Sequence, residues 1–163
     1  MKQLVYRHEY GQSFHVPESS GAEFRLLSSS LHAIRLLVPL VRCLGPLGLL
    51  KTGLKLVTKR RRFYCVLAEG CVAHYGWVSF SFCRYYQVNP GDVVIGPILT
   101  EDRYRGRGYA TFALISVVNA LVAEGCRVFW IDTSEDNLAC QKVIEKSGFG
   151  EPVERFERPE RGL

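Results

Sequence analysis

The stretch Arg103–Gly125, RYRGRGYATFALISVVNALVAEG, sets Arg103, Arg105 and Arg107, spaced by Gly106 and Gly108, directly ahead of a long apolar run. Neighbouring arginines repel one another, and glycine is a poor helix former. From Phe112 to Val122 nearly every residue is apolar. The pattern predicts a helix buried on most of its surface and closed by Gly125. A helix N-terminus offers unpaired N–H groups and a partial positive charge. Glycines just before it let the backbone approach a ligand, and the arginines add charge. This junction therefore points to a bound anion, and a diphosphate suits a cup of convergent amides.

The flanking segments place the junction in a fold. Asp92–Thr100, DVVIGPILT, follows the turn signal Asn89-Pro90-Gly91 and reads as a strand interrupted at Gly96-Pro97, where proline withholds a ladder donor. Arg127–Thr133 reads as a buried strand, Ser134–Phe149 as a helix closing at Gly148, and EPVERFER, Glu151–Arg158, as a last strand. Upstream, Arg62–Phe82 is aromatic and β-branched with Glu69-Gly70 in its middle, which predicts a hairpin. Glu23–Leu27 reads as a first strand. Ser28, Ser29 and Ser30 offer N-caps for helical pattern that runs, with a break near residue 46, to about Thr58. The strand–helix–strand unit in the second half implies a crossover between parallel strands.

The 163 residues suit one domain, 1–163. The formal charge of +5, from 21 basic and 16 acidic residues, is mild and suits an anionic small ligand as well as nucleic acid. Part of it lies in the run Lys59-Arg60-Arg61-Arg62, which also reads as a solvated surface. No helix-turn-helix, RNA-recognition or zinc signature is visible, so no nucleic-acid partner is expected. The six cysteines contain no C-x-x-C pair, and no metal is expected. The opening MKQLVYRHEYGQSF has no apolar core of signal-peptide length, so a cytoplasmic location with reduced thiols is the expectation. Leu31–Leu50 is greasy, yet it carries Arg35, Arg42, Pro39 and Pro46. That argues against a transmembrane segment and for two helices packed on the core, with contact to a membrane surface or a partner as the alternative.

Three phosphate motifs use a strand, a glycine turn and a helix. The dinucleotide fingerprint fails because its third glycine position is Thr111, and the P-loop string does not occur. The pattern [Q/R]-x-x-G-x-[G/A] is met by Arg105-Gly106-Arg107-Gly108-Tyr109-Ala110. This resembles the acyl-CoA site of the GNAT superfamily of N-acetyltransferases. Asn137, Cys140 and the run Glu145–Phe149 look like that family's second CoA-contacting segment, so the resemblance covers roughly residues 62–150. It implies a mixed, mostly antiparallel central sheet, α+β or α/β in class, with a splayed strand pair flanked by helices. Residues 62–150 would be the CoA-binding core and 24–60 a helical acceptor-side region. It also implies acetyl-CoA as cosubstrate and a small-molecule amine as acceptor. Backbone atoms of Ile98, Leu99 and Thr100 would hold the pantetheine arm. Amides of Arg105, Gly106, Arg107, Gly108, Tyr109, Ala110 and Thr111 would hold the pyrophosphate, and Asn137 would contact the arm or the phosphate side. Many members dimerise through the last strands, which the tail permits.

In such an enzyme a neutral amine attacks the thioester, so a base or a water chain must take its proton. The family's frequent tyrosine acid falls at Ile144 and its strand glutamate at Val94, so both are missing. Asp92 lies on the Val94 face by alternation and reads as a base through water, or as a turn residue. His74 reads as a base near neutral pH, or as a structural strand histidine. Tyr85, and Tyr86 after it, read as thiolate donors, acceptor-pocket walls, or packing residues. Asp132 and Glu135 read as amine-binding carboxylates or helix caps. A nucleotide-linked amino sugar would suit the basic run and the aromatic hairpin. The alternative from another class is a non-catalytic acyl-CoA-binding sensor or scaffold module.

Overall fold

The computed structural model describes residues 1–11, 15–16, 21–28, 36–57 and 60–158. The caps read at Ser29 and Ser30, the helical pattern over 31–35, Thr58, Lys59 of the basic run, and the tail 159–163 lie outside the described residues. In chain order the elements are β1 (Lys2–Glu9), β2 (Ala22–Leu27), α1 (Leu37–Val57), β3 (Arg61–Ala68), β4 (Cys71–Phe80), β5 (Val93–Thr100), a 3₁₀ turn (Asp102–Tyr104), α2 (Tyr109–Ala123), β6 (Val128–Ser134), α3 (Leu138–Lys146) and β7 (Glu154–Glu157).

The strands form one seven-stranded sheet in the order β2-β3-β4-β5-β6-β1-β7. Every neighbouring pair is antiparallel except β5 and β6. That parallel pair is the one joined through α2, as expected of a strand–helix–strand crossover. Alternation along each strand feeds two faces. On one, Leu114, Val117 and Leu121 of α2 and Ile144 of α3 pack on Tyr64, Val66, Val78, Ile95, Phe129 and Ile131. On the other, Leu40 and Leu56 of α1 cover Phe63, Cys65 and Trp77. There Tyr86, from the segment between β4 and β5, covers Val5 and Val94.

Two expectations change. The N-terminal residues form β1, paired with β6 on one side and β7 on the other, where the sequence reading placed no strand. Gln3, Leu4, Val5 and Tyr6 are all buried, so no polar–apolar alternation marks the strand. The greasy helix α1 is broken at Gly45 (φ 69, ψ 169), and Pro46 opens its second half. The expected break near residue 46 is there, but the packing is one-sided: Leu47, Leu50 and Leu54 stay exposed.

Gly76 in β4 is fixed by a neighbour. A Cβ there would overlap the hydroxyl and ring of Tyr64, a fully buried side chain on the adjacent strand. Gly76→Ala is expected to cost about 1–3 kcal/mol of stability by overpacking, read as a lower urea midpoint. Tyr64→Leu added to it should recover part of that loss. A Gly76→Ala variant as stable as the parent would show that the strands give way freely.

Candidate functional site

The ladder between β5 and β6 holds three pairs, Val93↔Phe129, Val94↔Trp130 and Ile95↔Ile131, and then stops. The next residues of β5 are Gly96-Pro97, and a bulge in β4 lies opposite them, between Gly76 and Val78. Proline has no N–H to donate. Beyond them Ile98, Leu99 and Thr100 rejoin β4 opposite Gly76, Tyr75 and His74, with no pairing to β6. The edge of β5 that faces β6 is therefore free from Gly96 onward, and a wedge opens between the two strands.

That wedge widens into a cleft of about 760 Å³. Its walls include Ile98–Thr100, the Arg105–Thr111 turn, and Asn137, Cys140 and Val143 of the α3 segment. Gly106 (φ +75) and Gly108 (φ +80) take left-handed backbone, which side chains disfavour. Gly108 is the N-cap of α2, and no side chain caps it. The first intrahelical bond is from Phe112 N–H to the Gly108 carbonyl, at 3.0 Å. The N–H groups of Tyr109, Ala110 and Thr111 have no partner within the helix and open on the cleft. The arginines are splayed around this mouth. Arg105 meets Asp102 at 2.7 Å, and the Arg103 and Arg107 guanidinium groups lie 4.7 and 5.5 Å from the centre of the Tyr104 ring.

Asn137 is the N-cap of α3, and its Oδ1 accepts the Cys140 N–H at 3.1 Å. The helix thus begins at Leu138, later than the expected Ser134, because Asn137 N–H closes a turn onto the Ser134 carbonyl first.

His74 borders the cleft, and its buried Nε2 has no protein partner among the described residues; the buried Tyr64 Oη, which also lacks one, lies against Gly76 and outside the cleft lining. His74 Nδ1 lies 2.8 Å from Thr100 Oγ1 at the end of the free edge. Burial lowers its pKa to about 4, so the ring is neutral near pH 7. Sequence reading singled out His74 but passed over Tyr64, whose only signal is the strand alternation that aims it at Gly76.

The other carboxylate and tyrosine candidates lie on the opposite face. Asp92 is buried just before β5, and its Oδ2 accepts the Trp130 indole N–H at 2.8 Å and the Asn89 amide at 3.1 Å. It does not line the cleft. Tyr85 stacks on Phe156 of β7, with the Arg158 guanidinium 3.9 Å from its ring centre. Its neighbour Tyr86 reaches Asp132, with 3.3 Å between Tyr86 Oη and Asp132 Oδ1. Asp132 is the first β6 residue past the last β5 pair, so its backbone stands at the apex of the wedge, while its side chain, like that of Asp92, is not among the residues that line the cleft. Burial pushes its carboxyl above the usual carboxylate range, against the opposing pull of the Tyr86 bond and Arg158.

A family model described as acetyltransferase (GNAT) domain matches residues 50–150. The chain belongs to the GNAT acetyltransferase family. Solved structures share the GNAT fold. AAC(6′)-Iy, in complex with the bisubstrate analog CoA-S-monomethyl-acetylneamine, is 23% identical, with a TM-score of 0.64 over 88% of this chain and 100% of that one. The aminoglycoside 6′-N-acetyltransferase AAC(6′)-Ih from Acinetobacter baumannii is 20% identical, with a TM-score of 0.59 over 88% of this chain and 99% of that one. A tandem GNAT protein from the clavulanic acid biosynthesis pathway is 16% identical, with a TM-score of 0.64 over 94% of this chain and 51% of that one. No curated protein matches the chain.

The neutral, buried His74 has a consequence for stability. Its folded-state pKa of about 4 lies below the ordinary 6.5, so the unfolded chain binds more protons between those values. The folded state is therefore fully favoured above pH 6.5 and loses about 3 kcal/mol as pH falls toward 4, at about 1.4 kcal/mol per pH unit. His74→Asn, which keeps a polar atom for Thr100, should lose less stability across that window in urea titrations. Equal acid sensitivity in parent and variant would mean that the imidazole is solvated.

Proposed function

We propose that this chain transfers an acetyl group from acetyl-CoA to the primary amine of a small cationic acceptor. One observation carries the reading. The β5–β6 ladder ends at Ile95↔Ile131, and the cleft it opens runs to the uncapped, left-handed N-terminus of α2. A long ligand with an anionic head and a hydrogen-bonding arm fits that shape. The amides of Gly106 to Thr111, with Arg105 and Arg107 at the rim, would bind the diphosphate. The free edge of Ile98, Leu99 and Thr100 would pair with the arm as a strand would. Asn137, whose Oδ1 is held by its capping bond, keeps its amide N–H₂ for the same ligand. The AAC(6′)-Iy structures in complex with CoA and with a CoA-linked bisubstrate analog support the donor assignment.

The acetyl-CoA thioester supplies an activated carbonyl. The residues at the apex of the wedge prepare the amine that attacks it. Asp132 takes a proton from the acceptor ammonium, directly or through a water, and Tyr86 holds the carboxylate in place. The new C–N bond forms as the C–S bond breaks; the nitrogen then releases its second proton to solvent, and the departing thiolate takes one from solvent. A carboxyl whose pKa is raised by burial is, once ionised, a stronger proton acceptor than an ordinary surface aspartate.

A half-buried carboxylate at the apex favours a cationic amine over an anionic acceptor. The basic run does not argue otherwise. Arg61 pairs with Ser79, five residues along β3 from Val66, the partner of His74, or about 17 Å away. Arg62 is bound in two contacts of 2.7 and 2.6 Å to Glu124, at the end of α2 remote from the cleft. Amino sugars belong to the favoured class, in keeping with the aminoglycoside N-acetyltransferases that share the fold.

Gly108→Trp should lower CoA affinity at least 100-fold by calorimetry, as roughly 3 kcal/mol of lost amide–phosphate contact implies. The left-handed backbone at Gly108 (φ +80) strains any side chain by about 1–2 kcal/mol, so the melting temperature should fall by roughly 2–8 °C with the fold kept, since nothing lies within 4 Å of a Cβ there. Unchanged affinity would refute the phosphate assignment. Asp132→Asn should reduce kcat by roughly 10²–10⁴ and abolish the acid limb of the pH–rate profile, with CoA affinity kept. CoA binding with no thiol release across a panel of amines and amino sugars would leave a binding module, not an enzyme.

A further inference from the structure

Helix α1 carries more apolar surface than the sheet takes. Leu40, Thr52 and Leu56 are buried against the sheet face. Leu47, Leu50 and Leu54, spaced i, i+3, i+7 on its second half, are 73%, 62% and 63% exposed. A helix that is apolar on all sides is ordinarily covered on all sides. By length and composition this one could cross a membrane, yet only 11% of that window is buried in the fold.

The charges around the stripe have one sign. Residues 37–57 contain Arg42, Lys51 and Lys55, all exposed, and no acid. A second cavity, of about 290 Å³, adjoins the end of the helix and is lined by Lys55, Arg60, Arg61, Ser79 and Phe82. Among the described residues no carboxylate lines it, and the Phe82 ring is half exposed. It lies at the Arg61↔Ser79 end of the hairpin, away from the His74 end that borders the first cleft.

We propose that α1 and this cavity form a docking surface for a bilayer bearing anionic phospholipids. The Leu47, Leu50 and Leu54 stripe enters the headgroup–acyl boundary, and the Lys55, Arg60 and Arg61 cavity receives a lipid phosphate. The helix lies on the bilayer and does not span it, because its other face is held by the sheet. A second copy of the chain is the poorer occupant. A two-fold contact through this face would set the cationic patch of Lys51, Lys55 and Arg60 against the same patch of the other copy, with no acid in residues 37–57 to pair with it. The proposal does not depend on acyl transfer.

Flotation of the full chain with phosphatidylcholine vesicles, with and without phosphatidylglycerol, tests it. The chain should float with the anionic vesicles, weakly with the neutral ones, and less as salt rises. Leu47→Ser, Leu50→Ser and Leu54→Ser together should abolish flotation. Lys51→Glu with Arg60→Glu, on exposed positions, should weaken it roughly tenfold or more. Melting followed by circular dichroism shows that each variant is folded. The proposal is overturned if the chain stays with the soluble fraction, if it floats equally with both vesicles, or if either folded variant floats like the parent. A parent dimer that the serine substitutions dissociate, with no flotation, would assign the face to a second copy.

Discussion

The architecture depends on a ladder that is short by design of its sequence. Three residue pairs tie β5 to β6, and their inward side chains, Val93, Ile95, Phe129 and Ile131, are sealed in the core. Gly96-Pro97 then removes a donor and a side chain from β5 at the point where the pairing would continue. The strands cannot separate earlier, because apolar burial holds them, and cannot rejoin later, because β5 is recaptured by β4 from Ile98 to Thr100. A strand with one satisfied edge and one free edge inside a cleft is a template for an extended ligand. The helix that follows supplies the complementary element, a set of N–H groups with no partner in the fold.

The two faces of this wedge differ in chemistry. On the α2 and α3 side the cleft holds a neutral imidazole: His74 loses its charge to burial, and its Nε2 is buried without a protein partner among the described residues. An arm of amides and a thioester can satisfy such an atom without bringing charge. The opposite side holds Asp132, a carboxylate kept in a half-buried pocket by Tyr86. In the proposed reaction, proton transfer falls on one side of the sheet and cosubstrate binding on the other, on either side of the gap between β5 and β6. Cations stand on both sides: Arg105, Lys142 and Lys146 line the cleft, and Arg158 lies near enough to Asp132 to oppose the rise of its pKa.

Local signals in the sequence were strong where a single element had to satisfy them. The turn from Arg105 to Ala110, the buried run of α2, the Glu69-Gly70 hairpin and the proline break in β5 were each legible, because glycine, proline and periodic apolar residues act on their own neighbours. β1 was not legible: a strand buried on both faces with Gln3 at its start shows no alternation. Asp132 and Tyr86 were named among several candidates, but nothing in their spacing joins residues 46 positions apart. The fate of Arg62, bound to Glu124 across 62 positions, was equally hidden.

The amino-acid sequence by itself determined the Arg105–Ala110 turn, the interrupted strand and the family to which the chain belongs, because these rest on backbone conformations that particular residues allow or forbid over a few positions. Only the tertiary structure decided which titratable groups meet at the apex, which arginines are spent on ion pairs, and which side of α1 remains uncovered. Those outcomes depend on burial and on contacts between distant strands, and both exist only once the sheet has closed its core.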